Sequence, residues 1–179
     1  AVDCSDLART GGVLGERIPD INIDHHVTNE NFARINYVVP EAVATSAILA
    51  ANLSAWGLAI NTEVADCLLT GLISDTLGFR TSNMTSDALR LAADMVDAGA
   101  DLPLLYLRAL VQRSYIAARY WGQALDRLQN RDGLVWTSLT IQDRKRVGYS
   151  GKDDADLINL LSSIEEADIA MIFVEQNPD

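Results

Sequence analysis

The sequence predicts an α/β protein: a mostly parallel sheet flanked by helices, followed by a linker helix and the first part of a smaller α/β unit. Three observations predict it. Short runs that alternate apolar and polar residues, such as Ile21-Asn22-Ile23-Asp24, stand between longer stretches with helical spacing, such as Val64, Cys67, Leu68, Gly71 and Leu72. Acidic and imidazole side chains gather at the ends of those runs, the edge at which open parallel sheets bind ligands. The chain also changes character near residue 113: net charge is −8 before it and −3 from it onward, and eight of the fourteen basic residues lie in the second stretch. The expected organisation is a main domain over residues 1–112, a linker helix over 113–130 and an accessory segment over 131–179.

In chain order, Ala1-Val2 reads as the last two residues of a strand whose beginning is missing. That puts Asp3 at a strand's C-terminal end. Its competing role is to cap a short helix over residues 7–9, which Ser5 or Asp6 could do as well. A glycine-rich loop leads to the strand ending at Asp24, directly before His25 and His26, the only two histidines of the chain. Asn29-Glu30-Asn31 is a polar turn, and residues 33–39 are β-branched enough for a second strand stopped by Pro40. A helix is expected over 45–56 with Gly57 just past its end, and a second one capped by Asn61-Thr62. The apolar stripe of that second helix, continued, lands on Asp75. A carboxylate at the buried end of such a stripe is costly unless a cation or donors satisfy it. The alternative is that the helix has ended and Asp75 caps the turn Thr76-Leu77-Gly78.

Thr85 or Ser86 starts a helix to about Ala98, and Asp101-Leu102-Pro103 opens another with proline in its first turn. From Ser114, the residues Ile116, Tyr120, Trp121, Ala124, Leu125 and Leu128 form an amphipathic helix. A turn at residues 130–133, a strand over 134–140 and a short basic helix over 141–147 follow. Asp153-Asp154 then cap a helix with Leu157, Leu160, Leu161 and Ile164 inward, and residues 169–175 make an apolar strand. Asn177-Pro178-Asp179 begins a turn with no return strand, so both ends read as cut from a longer product.

Composition narrows the function. With 179 residues and 49% hydrophobic content the chain can bury a sizeable core. No apolar run approaches the roughly 20 residues of a membrane span, and the start lacks the layout of a signal peptide, so a soluble cytoplasmic protein is expected. Cys4 and Cys67 have neither the number nor the spacing of a disulfide framework and are expected as small buried thiols. A net charge of −11 argues against broad binding to duplex DNA or an anionic membrane. A short nucleic acid in a local pocket is compatible with it.

Asp3, Asp24-His25-His26 and Asp75 each stand where a strand or helix ends inside one α/β unit, the layout of a divalent-metal site. The competing reading of His25 and His26 is as ordinary loop or core histidines. Carboxylates with imidazoles suit Mn²⁺ or a similar ion, with Mg²⁺ as the alternative. Two such ions about 4 Å apart can activate a water and clamp a phosphate.

Three stretches of this chain resemble motifs of the DHH phosphoesterase superfamily, named for Asp-His-His. Val2-Asp3-Cys4-Ser5 is similar to its second motif, Ile23-Asp24-His25-His26 to its third, and the nine residues from Gly71 to Phe79 to its fourth. Residues 131–174 are similar to the opening half of the accessory domain, DHHA1, that follows the catalytic domain in this family. Within the superfamily the chain is most similar to the bacterial nanoRNase branch. That branch degrades very short RNAs from an end, as an exonuclease, and removes the 3′-phosphate of 3′-phosphoadenosine 5′-phosphate.

The resemblance implies a Mn²⁺-dependent hydrolase with two ions in the complete protein. Asp3, His25 and Asp75 would be metal ligands, with Asp3 bridging. Asp24 would orient a histidine, His26 would face the substrate phosphate as donor or proton carrier, and Arg80 would contact a phosphate. The implied partner is a short RNA or nucleotide, and a homodimer is compatible with the sequence. The alternatives are a cyclic-dinucleotide phosphodiesterase of the same superfamily and a nucleotide-binding remnant without catalysis. Two family features are not in the sequence: the His/Asp-rich first motif and the glycine- and histidine-rich motif of the accessory domain. Three ligands are too few for a stable two-ion site, so weak or no activity is expected of these 179 residues alone.

Overall fold

The computed structural model describes residues 1–15 and 17–176; the turn expected at Asn177-Pro178-Asp179 lies outside the described residues. The chain forms two compact units, Ala1–Gln112 and Arg113–Asp179. In the first, β1 (Ile21–Asp24) and β2 (Ile35–Val38) pair in parallel, with Ile21 opposite Ile35 and Asp24 opposite Val38. Residues 1–3 run alongside: Val2 bridges to Ile23 in parallel, and the Asp3 amide donates to the Ile23 carbonyl at 2.9 Å. The short helix expected near residue 7 is a 3₁₀ turn, Ala8–Thr10. Asp6 serves it, its carboxylate accepting from the Arg9 amide at 2.9 Å, which leaves Asp3 free for other work.

Helices α1 (Thr45–Asn52), α2 (Thr62–Asp75), α3 (Ser86–Asp97) and α4 (Leu102–Tyr106) complete this unit, and α4 runs on into one π-helical turn, Leu107–Val111. Asn61, Thr85 and Asp101 cap α2, α3 and α4, each side chain accepting from an amide three residues on. The first helix stops four residues short of the expected Trp56, and the chain turns out of it toward Gly57, whose φ is +78°.

The core of the unit is rich in small side chains: Val43, Ala44, Ala47, Ala65, Leu68, Leu69, Leu72 and Ile73, with Ala88, Ala92 and Met95 from α3. Small residues let helices approach closely. A Cβ on Gly71 would lie 2.9 Å from the Cβ of Ser46, so α2 meets the start of α1 at near-backbone distance. The buried stripe of α2 is Ala65, Leu68, Leu69, Leu72 and Ile73. It is rotated from the expected one, and Cys67, Gly71 and Asp75, spaced by four, line its flank. Cys67 is therefore exposed and Cys4 half-buried, which corrects the expectation of two buried thiols.

The second unit holds α5 (Tyr115–Leu125), β3 (Gln129–Arg131), β4 (Leu134–Leu139), α6 (Ile141–Val147), α7 (Leu157–Leu161) and β5 (Ile169–Val174). The sheet order is β3-β4-β5, with β3 antiparallel and β5 parallel to β4. Asn130 and Arg131, read from sequence as turn, belong to β3; the reversal is made by Asp132 and Gly133 alone, both at positive φ. The helix expected as a linker is built into this unit, because Tyr120 and Ala124 are fully buried with Val135, Leu139, Leu157 and Leu161. Leu160, expected inward, is 41% exposed on the outer side of the five-residue α7.

Asp143 closes the junction of β4 and α6. Its carboxylate accepts from the Thr140 amide at 2.8 Å, the Thr140 hydroxyl at 2.6 Å and the Arg127 guanidinium, completing a capping box. Burial pushes this carboxyl up, but the Arg127 and Thr140 donors outweigh it and hold it below the ordinary value. A carboxyl whose folded pKa is depressed stabilises the fold above its unfolded pKa of about 3.9, and that contribution is lost as pH falls through the folded value. We expect Asp143→Asn to cost about 2 kcal/mol in urea unfolding at pH 7. The gap to the wild type should close as the titration is repeated at falling pH below 4.

Candidate metal centre

Three chain segments deliver the candidate ligands, and each ends at the site. The stretch beside β1 brings Asp3, β1 itself runs into His25 and His26, and the last residue of α2 is Asp75. The helix continues through Asp75 and is closed by Thr76, so Asp75 is not the cap of the following turn. His25 Nε2 stands 3.6 Å from the Asp3 carboxylate and 3.7 Å from the Asp75 carboxylate. Ligand atoms of Asp3, His25 and His26 all lie within 4.8 Å of one another.

The tautomers follow from the partners. His25 Nδ1 faces the Ala42 carbonyl at 3.1 Å, and since a carbonyl only accepts, Nδ1 carries a proton there and Nε2 is the nitrogen turned toward the two acids. His26 Nδ1 is 2.7 Å from Asp24 Oδ1, which likewise assigns the proton to Nδ1 and leaves Nε2 as the second nitrogen free of that bond. The histidine that Asp24 orients is thus His26, and His25 is oriented by a backbone carbonyl. Asp24 is fully buried and also accepts from Asn29, whose amide nitrogen reaches the Cys4 carbonyl at 3.0 Å as well. Burial pushes the Asp24 carboxyl up; the His26 and Asn29 donors outweigh it and hold it below the ordinary range. Asp75 moves the other way, raised by burial and then by the nearby Asp3 charge, with His25 and His26 offsetting part of it.

Asp75, its carboxyl pushed up by burial and by the neighbouring Asp3 charge, shares the His25 Nε2 edge with Asp3, and a divalent cation placed there would remove the repulsion and the desolvation cost together. Oxygen and imidazole donors without thiolate suit Mn²⁺ or Mg²⁺. The donor chemistry gathered at Asp3, His25 and Asp75 is of the kind that such an ion takes.

Beyond Asp75 the backbone is strained. Leu77, Gly78 and Phe79 have φ of +48°, +70° and +67°, and the Thr76 carbonyl accepts from both Arg80 and Thr81 amides. This turn carries Arg80, which is exposed and whose Nε donates to the Leu77 carbonyl at 2.9 Å. Three contributors escaped the sequence reading. Asn29 shows in the sequence only as part of a polar turn, although a buried Asp24 needs donors and the nearest amide side chain downstream is a natural source. Thr45 shows in the sequence only as a helix start; its hydroxyl donates to Asp3 Oδ1 at 2.8 Å. The Ala42 carbonyl leaves no mark in sequence at all.

No family model matches the chain. A Thermus thermophilus protein, "Bifunctional oligoribonuclease and PAP phosphatase NrnA", is 30% identical over 180 residues, covering all of this chain and 53% of the relative. A Streptococcus mutans protein, "Probable bifunctional oligoribonuclease and PAP phosphatase NrnA", is 22% identical over 157 residues, 87% of this chain and 50% of the relative. Among solved structures, an exopolyphosphatase-related protein from Bacteroides fragilis matches with a TM-score of 0.79 and 25% identity, covering 92% of this chain and 51% of that one. The chain thus spans about half the length of the curated relatives it matches.

Gly78 is the test of the strained turn, because a Cβ there would lie 2.6 Å from the Tyr106 ring in addition to the positive φ. We expect Gly78→Ala to lower stability by about 1–3 kcal/mol, measured by thermal or urea unfolding.

Proposed function

The chain belongs to the DHH phosphoesterase superfamily, in its nanoRNase branch, and we propose that it carries the metal-binding part of a phosphoesterase acting on short oligoribonucleotides and on 3′-phosphoadenosine 5′-phosphate. The observation that carries this reading is His25 Nε2, its ring oriented by the Ala42 carbonyl at Nδ1, within 3.7 Å of carboxylates from two different elements. Asp3, His25 and Asp75 would hold Mn²⁺. When bound, such an ion lowers the pKa of a water and polarises a phosphoryl oxygen.

The chain's own residues account for the remaining requirements. Asp24 is ionised and buried, so it holds the His26 imidazole in one orientation. When the ring carries a second proton, His26 Nε2 would donate a hydrogen bond to a phosphate oxygen or pass that proton to a leaving group. Arg80 would supply a charge-assisted contact to a second phosphate oxygen from the turn after Asp75. Asn29 keeps Asp24 and the Asp3-Cys4 segment in register, since one amide nitrogen serves both.

The test is hydrolysis by the complete gene product with Mn²⁺. A labelled RNA dinucleotide should give mononucleotides, and 3′-phosphoadenosine 5′-phosphate should release inorganic phosphate. No turnover of either, with cleavage of a cyclic dinucleotide instead, would move the protein to the cyclic-dinucleotide branch. No hydrolysis of any of the three, with nucleotide binding retained, would leave a binding module. Asp75→Asn should reduce turnover by at least about a hundredfold, the scale for loss of a metal ligand or its support, and EDTA should abolish it. Unfolding of that variant without metal should change little, because the side chain is 36% exposed.

A further inference from the structure

We propose that Thr45 is a positioning residue for the metal-binding carboxylate of Asp3, and that its hydroxyl is needed for full affinity for Mn²⁺. The proposal rests on the reading of Asp3, His25 and Asp75 as the ion's holders. Asp3 is the most exposed of the three, its side chain 51% accessible, and it stands on backbone at φ +58°. The terminal torsion of an aspartate is broad, with no sharp well of its own to aim the two oxygens. A half-exposed carboxylate in that state loses orientational freedom on binding an ion, and affinity falls accordingly.

Thr45 supplies the missing restraint. It is 3% exposed, and its hydroxyl donates to Asp3 Oδ1 at 2.8 Å across 42 residues of sequence. That is the oxygen facing His25 Nε2 at 3.6 Å, so the bond aims the atom that the site would use. A carboxylate oxygen has two lone-pair sites; with one taken by Thr45, the other remains for a cation. The geometry is rigid because Thr45 is the first residue of α1, on a β-branched side chain with few rotamers, seated against α2 through the Ser46–Gly71 contact. The residue type also fits. A neutral hydroxyl orients the acid without bringing a positive charge into the site, where a lysine or arginine would compete with the ion.

The experiment is Mn²⁺ titration of the complete gene product, wild type and variants, read as free Mn²⁺ by electron paramagnetic resonance, with metal-free thermal unfolding alongside. Thr45→Val keeps the shape and removes the donor; Thr45→Ser keeps the donor. Valine at this position should weaken Mn²⁺ binding about ten- to a hundredfold, and serine should stay within about threefold of wild type. Should the valine protein fail to fold, Thr45→Ala against Thr45→Ser gives the same comparison. Valine or alanine binding as tightly as wild type would overturn the proposal. So would equal weakening by valine and serine, which would assign the effect to packing. A wild type that binds no Mn²⁺ at all would sink the metal reading itself, a result separable from failure at Thr45.

Discussion

Two negative charges aimed at one imidazole edge are the constraint on which the first unit is built. Like charges this close repel even at an intermediate effective dielectric, and partial burial of Asp75 adds to the cost of keeping it ionised. A flexible pair of side chains would relieve this by swinging apart. Here neither acid can move far, because Asp75 is the terminal residue of a fourteen-residue helix and Asp3 is tied through its own amide to β1 and through its carboxylate to α1. Backbone strain accompanies both: φ is +58° at Asp3 and lies in the left-handed region at all three residues from Leu77 to Phe79. Such strain persists only where the surroundings over-determine it, and it clusters at sites that use the resulting geometry.

The over-determination comes from packing. Ala44, Ala47 and Ala65, with Gly71 against Ser46, make the contact between α1 and α2 narrow enough for the N-terminus of one helix and the C-terminus of the other to serve the same site. A larger side chain at this seam would separate the helices and carry Thr45 away from Asp3. Deeper in the unit, Leu68, Leu69, Leu72 and Ile73 anchor α2 in the core. The hydrophobic contacts thus fix the helix axis, and the small residues fix how closely its end approaches the strand.

Much of this was legible in the chain. Asn61, Thr85, Asp101 and Ser114 all cap the helices that their residue types announce, because an oxygen-bearing side chain before an apolar periodic run has one efficient use. The gathering of Asp3, His25, His26 and Asp75 followed from the placement of polar residues at element ends. What escaped were features whose physics is not periodic. β3 is three exposed polar residues whose strand character comes only from pairing with β4. The rotation of the α2 stripe onto Ala65 and Leu69 depends on alanine packing that hydrophobicity alone does not rank. The ring partner of His25 is a main-chain carbonyl, which any residue at position 42 would offer.

The alternation in β1 shows where function overrides the ordinary rule. Isoleucine and a polar residue alternate there, and burial alone would turn the isoleucines inward. Instead Asn22 and Asp24 are completely buried, while Ile21 is 49% exposed. The inversion is sustained by shared donors and acceptors: Asn22 and Asn29 both donate to the Cys4 carbonyl, Asn29 also donates to Asp24, and Asp24 accepts from His26, while the buried Asn22 Oδ1 has no partner among the described residues. Burying a carboxylate is tolerable only when such partners replace water. Because those partners reach to Cys4 and His26, neighbours of Asp3 and His25, the cost of the inverted strand is also what sets the candidate ligands in place.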